Sequence, residues 1–341
     1  MIGLDDVVAK EDAFLTELPG GGDKDLMKKM LKKILLILFL IFSSNLVAEE
    51  VPFLLTAAAK GDLETVKAII ESGGSVNTED KDKLTALMYA VRKDNIEIVK
   101  YLIKHGAKVN AIENEGWSAL MFAAKKGYIN SAEILLKNGA DPKIIDPDGW
   151  SAYGLAATSG YSKMIDLLIQ KGGIDPNTRN NTGATVLMLA CKNGDENTIK
   201  TLLKNKANSE LKDKYGKTAL MYAVINGNVK ATELLLNNDT KIDEIDKSKW
   251  TALLWGVKKN KLEAIKVLIK NGANVNHEDD EGTPIIHYAV FNNNFNIVKL
   301  LIDSGANLKA KDQYGLTPLV YALKEKNPEI IEIIRAHGGE Y

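Results

Sequence analysis

The sequence contains little of what marks several common classes of protein. It has one cysteine, Cys191, and four histidines, so it can form no internal disulfide. No two histidines have the i, i+4 spacing of a metal-binding helix. Cys191 follows a buried-type alanine position in the middle of an apolar segment, which favours a structural thiol over a reactive one. We therefore expect neither a disulfide framework nor a metal site.

Motifs for catalysis and cofactor binding are missing as well. We find no serine nucleophile elbow, no cysteine–histidine pair and no glycine-rich dinucleotide fingerprint. The Gly-Lys-Thr segment at residues 216–218 is similar to the end of a phosphate-binding loop, but Leu211 stands where that loop requires glycine. The acidic residues 279–281 lack the alternating ligands of a calcium loop. These absences predict a protein that is not an enzyme and needs no cofactor.

Long hydrophobic runs are absent too, apart from a short one near the N terminus. Residues 34–42 are apolar, follow four lysines in residues 27–33, and precede a stretch that is similar to a cleavage region and ends at Ala48. The run is shorter than the ~20 residues that span a membrane. We predict a signal peptide at residues 27–48 and an exported protein, periplasmic or secreted. The alternative is an uncleaved signal that anchors the protein in the membrane.

An acidic leader, residues 1–26, precedes that segment. It has seven acidic residues against two lysines, a net charge of −5. We favour a native start at Met27 or Met30, with the leader untranslated, because an acidic cytoplasmic tail opposes the positive-inside preference of membrane anchors. The anchored alternative remains open.

Charge also excludes one class of partner. The whole chain has a net charge of −1, residues 1–26 carry −5 and residues 27–48 carry +4, which leaves residues 49–341 neutral. A neutral domain lacks the positive footprint of a nucleic-acid binder. We therefore expect no nucleic-acid partner.

What the sequence does contain is one pattern that returns nine times, almost always 33 residues apart. A Thr or Ser, or in two cases Pro, is followed by mostly apolar residues and, five positions on, usually by Ala. The nine starting positions are Pro52, Thr85, Ser118, Ser151, Thr185, Thr218, Thr251, Pro284 and Thr317. Such a period predicts a solenoid of stacked units. Because such arrays offer extended binding surfaces, it indicates binding to a partner rather than catalysis of a reaction.

Each unit reads as two helices and a connector. The Thr or Ser can cap the first helix, and a residue tolerant of positive φ ends it. A second, amphipathic helix such as residues 96–103 follows, and an Asp-x-x-Gly turn such as residues 312–315 closes the connector. The predicted ends of the first helices are Gly61, Asp94, Gly127, Gly160, Gly194, Gly227, Asn260, Asn293 and Asn327, and those of the second helices include Gly73, Gly106, Gly139, Gly172, Gly272, Gly305 and Gly338.

This unit resembles the ankyrin repeat. The family pattern Asp-x-x-Gly-x-Thr-Pro-Leu-x-x-Ala is present at residues 312–322, and Gly-Ala-x-x-Asn at residues 272–276. The resemblance extends over about residues 50–341 and implies an all-α ankyrin repeat solenoid of about nine helix-turn-helix units joined by β-turn or hairpin connectors, with residues 49–341 as its domain.

The chain departs from the family pattern at several positions. The family histidine occurs only as His287, with methionine at this position in four other units. Unit four has an extra residue within 172–177, and Lys206 and Asp239 replace the glycine that ends the second helix. A lysine at positive φ costs on the order of 1 kcal/mol, so we expect these two seams to be the softest.

The resemblance implies a binding surface formed by the turn tips and the inner, concave side of the first helices. Aromatic residues are concentrated there and suit binding hot spots, although packing between units explains those on the helices equally well. Cations line the ends of the first helices, where a solvated polar edge is the favoured alternative. The predicted partner-binding residues are Trp117, Trp150, Trp250, Tyr215, Tyr314, Trp255, Phe291, Arg92, Lys125, Lys126, Lys258 and Lys259.

Two functions fit this sequence. The first is a non-enzymatic scaffold, expected to be a monomer, that binds a protein partner through the concave surface. The second is an auxiliary regulator that stabilises or inhibits an enzyme or a stress-response system of the cell envelope. A membrane association is expected only if the signal segment stays uncleaved.

Overall fold

A computed structural model describes residues 52–341 of the chain. Within them lie eighteen α-helices in nine pairs, one pair for each predicted repeat. The predicted leader and signal segment lie outside the described residues. The paired all-α solenoid expected from the repeat is confirmed.

The helices are numbered in chain order, so that unit one contains α1 and α2 and unit nine contains α17 and α18. The first helices of the units are α1 Phe53–Lys60, α3 Ala86–Arg92, α5 Ala119–Lys126, α7 Ala152–Thr158, α9 Val186–Asn193, α11 Ala219–Ile225, α13 Ala252–Lys258, α15 Ile285–Phe291 and α17 Pro318–Glu325. The second helices are α2 Leu63–Glu71, α4 Ile96–Lys104, α6 Ile129–Lys137, α8 Ser162–Gln170, α10 Glu196–Lys204, α12 Val229–Leu236, α14 Leu262–Lys270, α16 Phe295–Asp303 and α18 Pro328–Ala336.

The predicted caps open most of the first helices. In five units the Thr or Ser oxygen accepts the backbone N–H three residues later, as Thr85 does from Met88 at 3.3 Å. This bond satisfies one of the N–H groups that a helix start leaves without a partner. Ser151 makes no such bond, and the Thr317 hydroxyl instead donates to the carbonyl of Glu340 at 2.6 Å.

Two of the predicted helix ends are wrong by one residue. In unit nine Lys326 has a φ of 58°, whereas Asn327 has a φ of −89° and caps α18. In unit four Gly173, with a φ of 64°, occupies the left-handed region in place of Gly172, because the extra residue of this unit lies in the segment that follows α8. The left-handed conformation expected at Lys206 and Asp239 is confirmed, with φ of 63° and 57°.

The core runs along the whole stack. First helices pack on the first helices of neighbouring units, and second helices on second helices. The alanines of the first helices, such as Ala86 and Ala90, are fully buried, and their small side chains permit close approach. Cys191 belongs to this core, and burial raises the pKa of its thiol, which supports the structural interpretation.

Hydrogen bonds between successive connectors bind the units at their edge. The backbone N–H of Asn114 donates to the carbonyl of Asp82 at 3.0 Å, and that of Lys247 donates to the carbonyl of Tyr215 at 3.0 Å. Within units, isolated antiparallel β-bridges such as Ile112 with Ser118 bring each connector back to the start of the next first helix. In the described part of the chain, five turns are positioned in this way by the turn before them.

His287 is buried in unit eight and joins it to unit nine. Its Nε2 lies 3.0 Å from the carbonyl oxygen of Leu316, and its ring meets that of Tyr321 edge-on at 5.6 Å. Burial lowers the pKa of the imidazole, which favours the neutral ring. Met88 and Met121 fill the same position in units two and three and are equally buried, so apolar packing replaces the histidine contact there.

The strain at Lys206 gives a first testable prediction. Glycine has no Cβ and adopts positive φ freely, so Lys206→Gly should raise the free energy of unfolding by about 0.5 to 1 kcal/mol. Lys204→Gly is the matched control. Lys204 is the last residue of α10, and there glycine should cost about 1 kcal/mol. Denaturant melts measure both. A neutral or destabilising Lys206→Gly would contradict the strain at this seam.

Candidate functional site

Five aromatic side chains of the first helices are tied to the turn that precedes them. In each case the hydroxyl or indole N–H donates to Oδ2 of an aspartate nine residues earlier in the chain, at 2.5–2.8 Å. The pairs are Tyr89 with Asp80, Tyr222 with Asp213, Trp255 with Asp246, Tyr288 with Asp279 and Tyr321 with Asp312. Each aspartate also accepts backbone N–H bonds within its own turn through Oδ1, as Asp213 does from Tyr215 and Lys217 at 2.8 Å.

Burial and these bonds move the pKa of three of the tyrosines further above neutral pH. Burial, followed by the hydrogen bond to Asp312, raises the pKa of Tyr321 to about 12. The same two causes raise the pKa of Tyr222 and of Tyr288. The hydroxyls therefore stay protonated and keep donating. We call each pair a turn–helix clamp.

The clamps were missed in the sequence, although it contains a signal for them. Asp and Tyr or Trp recur at i, i+9 in five units. The three units with Phe122, Leu155 or Leu189 at this position have no clamp in the described structure. The aromatic residues that directly precede the repeated Ala position thus have a structural function in the clamped units. Their presence there does not by itself indicate binding.

The three tip tryptophans are half-buried rather than free in water. The Trp250 ring lies 4.6 Å from that of Trp255 and 5.3 Å from that of Tyr288, and Trp117 lies 5.2 Å from Phe122. The Trp150 ring covers Gly154 so closely that a Cβ there would clash with it. Packing on the first helices therefore accounts for part of each ring, and the remainder stays exposed.

The rings of units seven to nine form one connected group, which we call the C-terminal aromatic cluster. It continues from Trp250 and Trp255 through Tyr288 to Phe291, 6.5 Å away, and from Phe291 to Tyr321 at 4.5 Å. Phe291 is 43% exposed. Two cations lie over rings of the cluster, Lys217 at 4.4 Å from Trp255 and Lys258 at 5.1 Å from Tyr288.

A second group lies at the other end of the array, around a depression of about 410 Å³ that we call the N-terminal pocket. It is formed by α1, α3 and α5 together with the connector before α5. Its lining residues are Ala59, Tyr89, Arg92, Lys93, Trp117, Phe122, Lys125 and Lys126.

The structure thus divides the predicted site residues into two regions. Arg92, Trp117, Lys125 and Lys126 meet in the N-terminal pocket, and Trp250, Trp255, Phe291 and Lys258 meet in or beside the C-terminal aromatic cluster. Four residues fall outside both groups: Trp150 packs on Gly154, the exposed Lys259 follows α13, and Tyr215 and Tyr314 are 63% and 73% exposed at turn tips.

The cations at the ends of the described first helices have no acidic partner. In the described second helices six lysines pair with acids three or four residues away, as Lys100 does with Glu97 at 3.0 Å and Lys266 with Glu263 at 2.8 Å, while the other five, such as Lys104, do not. Within residues 52–341, the cations at the ends of the first helices form no ion pair. Their charge is therefore available on the surface that carries the aromatic rings.

Comparison with known families accounts for this architecture. A family model of ankyrin repeats (3 copies) matches residues 54–146, 134–213, 187–279 and 253–341. The chain belongs to the ankyrin repeat family. A comparison with curated proteins finds no match.

Membership of this family indicates a general type of function. Ankyrin repeats are generally modules for protein–protein interaction and typically act as scaffolds without enzymatic activity. In residues 52–341, no three His, Cys, Asp or Glu side chains are grouped so that they could hold a metal ion. Across the same residues no helix is both long and apolar enough to cross a membrane.

Two tyrosines of unit six separate the structural from the exposed aromatics. Tyr222→Phe removes a donor from the buried Asp213 carboxylate and should lower the free energy of unfolding by about 1 to 2 kcal/mol. Tyr215→Phe is the control because this ring is exposed, and it should change stability by less than about 0.5 kcal/mol. Thermal or denaturant melts decide. Equal effects of the two substitutions would contradict the clamp.

Proposed function

We propose that the chain is a non-enzymatic ankyrin scaffold that binds a protein partner through the surface formed by its first helices and connector turns. The observation that carries this proposal is the combination, on one surface, of unpaired cations with partly exposed aromatic rings. The described first helices and their turns place both together in the N-terminal pocket and beside the C-terminal aromatic cluster.

Such a surface has the chemistry of a binding hot spot. Aromatic side chains offer large apolar area with few rotatable bonds, and they contribute strongly when a partner excludes water from them. Unpaired cations beside them add charge selectivity and speed encounter. The turn–helix clamps hold Trp255, Tyr288 and Tyr321 in place before any partner arrives, which lowers the entropic cost of binding. We expect a monomeric array to suffice for this role.

The test uses partner retrieval by tagged protein from the native cell, with quantitative binding to the partner found. Phe291→Ala and Trp250→Ala should each weaken binding by about 1 to 3 kcal/mol, as truncation of a hot-spot aromatic does. Tyr341→Ala is the control, since Tyr341 is a 74% exposed aromatic at the chain terminus and should have no effect on binding. Melting transitions of all three variants, recorded in parallel, separate lost contacts from lost structure. Unchanged affinity in Phe291→Ala and Trp250→Ala would overturn the assignment of the surface.

We also propose that the protein is exported. The support is the order of the basic, apolar and cleavage-type stretches in residues 27–48. Expressed from Met27 in a Gram-negative host, the chain should be cleaved after Ala48 and recovered outside the cytoplasm, which N-terminal sequencing detects. An intact Met27 on cytoplasmic protein would refute export. An intact Met27 on membrane-bound protein would favour the anchored alternative.

A further inference from the structure

We propose that the N-terminal pocket binds an acidic segment of the partner protein, with Arg92 as the principal carboxylate-binding group. This inference rests on the proposed scaffold function and adds the chemistry of the bound segment. It follows from the charge of the pocket, from the position of Arg92, and from what the neighbouring carboxylates already bind.

The side chains that line the pocket carry positive charge only. Four exposed cations, Arg92, Lys93, Lys125 and Lys126, line it together with three aromatic rings and one alanine, and no acidic side chain is among the lining residues. Within the described part of the chain none of the four forms an ion pair. Four like charges this close repel one another, and an anion that binds among them relieves the repulsion.

The adjoining turns, residues 80–83 and 113–116, contain four acidic residues. Asp82 and Glu115 are exposed and form no ion pair in the described part of the chain, whereas Asp80 and Glu113 accept hydrogen bonds. Asp80 accepts hydrogen bonds from the Tyr89 hydroxyl at 2.8 Å and from the backbone N–H groups of Asp82 and Leu84 at 2.9 Å. Glu113 is buried, and its Oε1 accepts the backbone N–H of Trp117 at 2.8 Å. Both carboxylates therefore serve the connector turns and form no ion pair with the pocket cations.

Helix ends account for only part of this charge. Cations at a helix C terminus are stabilised by the partial negative charge of the last carbonyls, which amounts to roughly half an electron per helix. Each of the helices α3 and α5 has two cations at its end. Helix α3 ends at Arg92 and is followed by Lys93, and α5 ends with Lys125 and Lys126. The pocket consequently keeps most of its positive charge after the helix ends are considered.

Arg92 is held in a position that suits carboxylate binding. Its guanidinium lies 5.7 Å from the ring centroid of Tyr89 and 5.4 Å from that of Phe122, which belongs to the next unit. The two rings restrict the positions of the side chain, and its N–H groups make no hydrogen bond or ion pair in the described part of the chain. They can therefore donate to a bidentate carboxylate. The other two arginines bind within the chain, Arg179 to the carbonyl oxygens of Gly183 and Lys212, and Arg335 to the Tyr341 hydroxyl.

A peptide fits this site better than a nucleic acid. The positive charge is confined to a depression of about 410 Å³, on an array whose net charge is zero over residues 49–341. Nucleic-acid binding needs cations spread along a backbone. The rings of Trp117 and Phe122 can meanwhile receive an apolar side chain that lies next to the acids of a peptide.

The experiment measures binding of fluorescent peptides to the full chain by anisotropy. The probe is a short peptide of alternating glutamate and serine with one central phenylalanine, and its matched counterpart has glutamine at every glutamate. We expect the acidic peptide to bind, the glutamine peptide to bind at least about tenfold more weakly, and affinity to fall as salt rises from about 0.05 to about 0.5 M.

A pair of double variants tests the location. Arg92→Gln with Lys125→Gln should weaken acidic-peptide binding by about tenfold or more. Lys104→Gln with Lys137→Gln is the control, because it removes the same charge from the last residues of the second helices of the same two units and should change affinity by less than about twofold. Equal loss in both double variants would overturn the pocket, since the effect would then reflect net charge.

The remaining outcomes are also decisive. Equal affinity for the acidic and glutamine peptides, or tighter binding of a single-stranded oligothymidylate, would overturn the acidic-peptide assignment. In that case, if the wild-type protein binds the native partner and Phe291→Ala weakens this binding, the result would support the scaffold function although the pocket proposal has failed. If the wild-type protein neither binds the acidic peptide nor retrieves a partner, the pocket proposal and the scaffold function are both contradicted.

Discussion

The structure depends on one constraint: a single repeat cannot bury its own apolar residues. Each helix pair covers only part of its apolar surface, and the rest is buried by the pairs before and after it. Fully buried alanines such as Ala86, Ala90 and Ala123 keep the first helices close enough for this. Since every seam must satisfy the same geometry, most residues of a unit are fixed by stacking, and few positions are free to vary with the partner.

The connector turns show how stacking also determines the binding surface. Five of the described turns donate a backbone hydrogen bond to the turn before them, and in five units the aspartate of the turn, through the clamp, holds an aromatic ring of the helix that follows. A ring that would otherwise move freely is fixed by the same hydrogen bonds that order the connector. The clamped aromatics of the first helices therefore stabilise the turns, and under the proposed function the exposed part of the half-buried rings contacts the partner.

Much of this could be predicted from the sequence, because the repeat imposes one geometry on every unit. The two helices, the Thr and Ser caps and the left-handed Lys206 all follow from residues at a fixed phase. The error in unit four occurred where the phase changes, at the extra residue. In unit nine the 33-residue period from Asn293 leads to Lys326, and the error came from preferring the neighbouring Asn327 because asparagine tolerates positive φ.

Helical and strand periodicity in the sequence does not predict the clamps or the pocket. Helical and strand periods compare positions within one element, whereas a clamp joins a turn to the following helix across nine residues. The N-terminal pocket needs side chains of three units, and the position of Arg92 between Tyr89 and Phe122 depends on how far apart two units stack. Such distances are set by packing along the array and not by the order of residues within one unit.

The separation of the two aromatic regions follows from the same reasoning. Stacking demands the same backbone in all units, but units four and five have Leu155 and Leu189 where units two, three and six to nine have an aromatic ring. Leu155 is buried, and unit four has Thr158 where units two and three have Arg92 and Lys125, whereas unit five has the exposed Lys192. The middle of the array thus lacks these rings, and unit four also lacks the cation, without a change in the core. A partner segment that contacts both ends must cross a stretch with little to anchor it, so the energy of binding should be concentrated at the two ends.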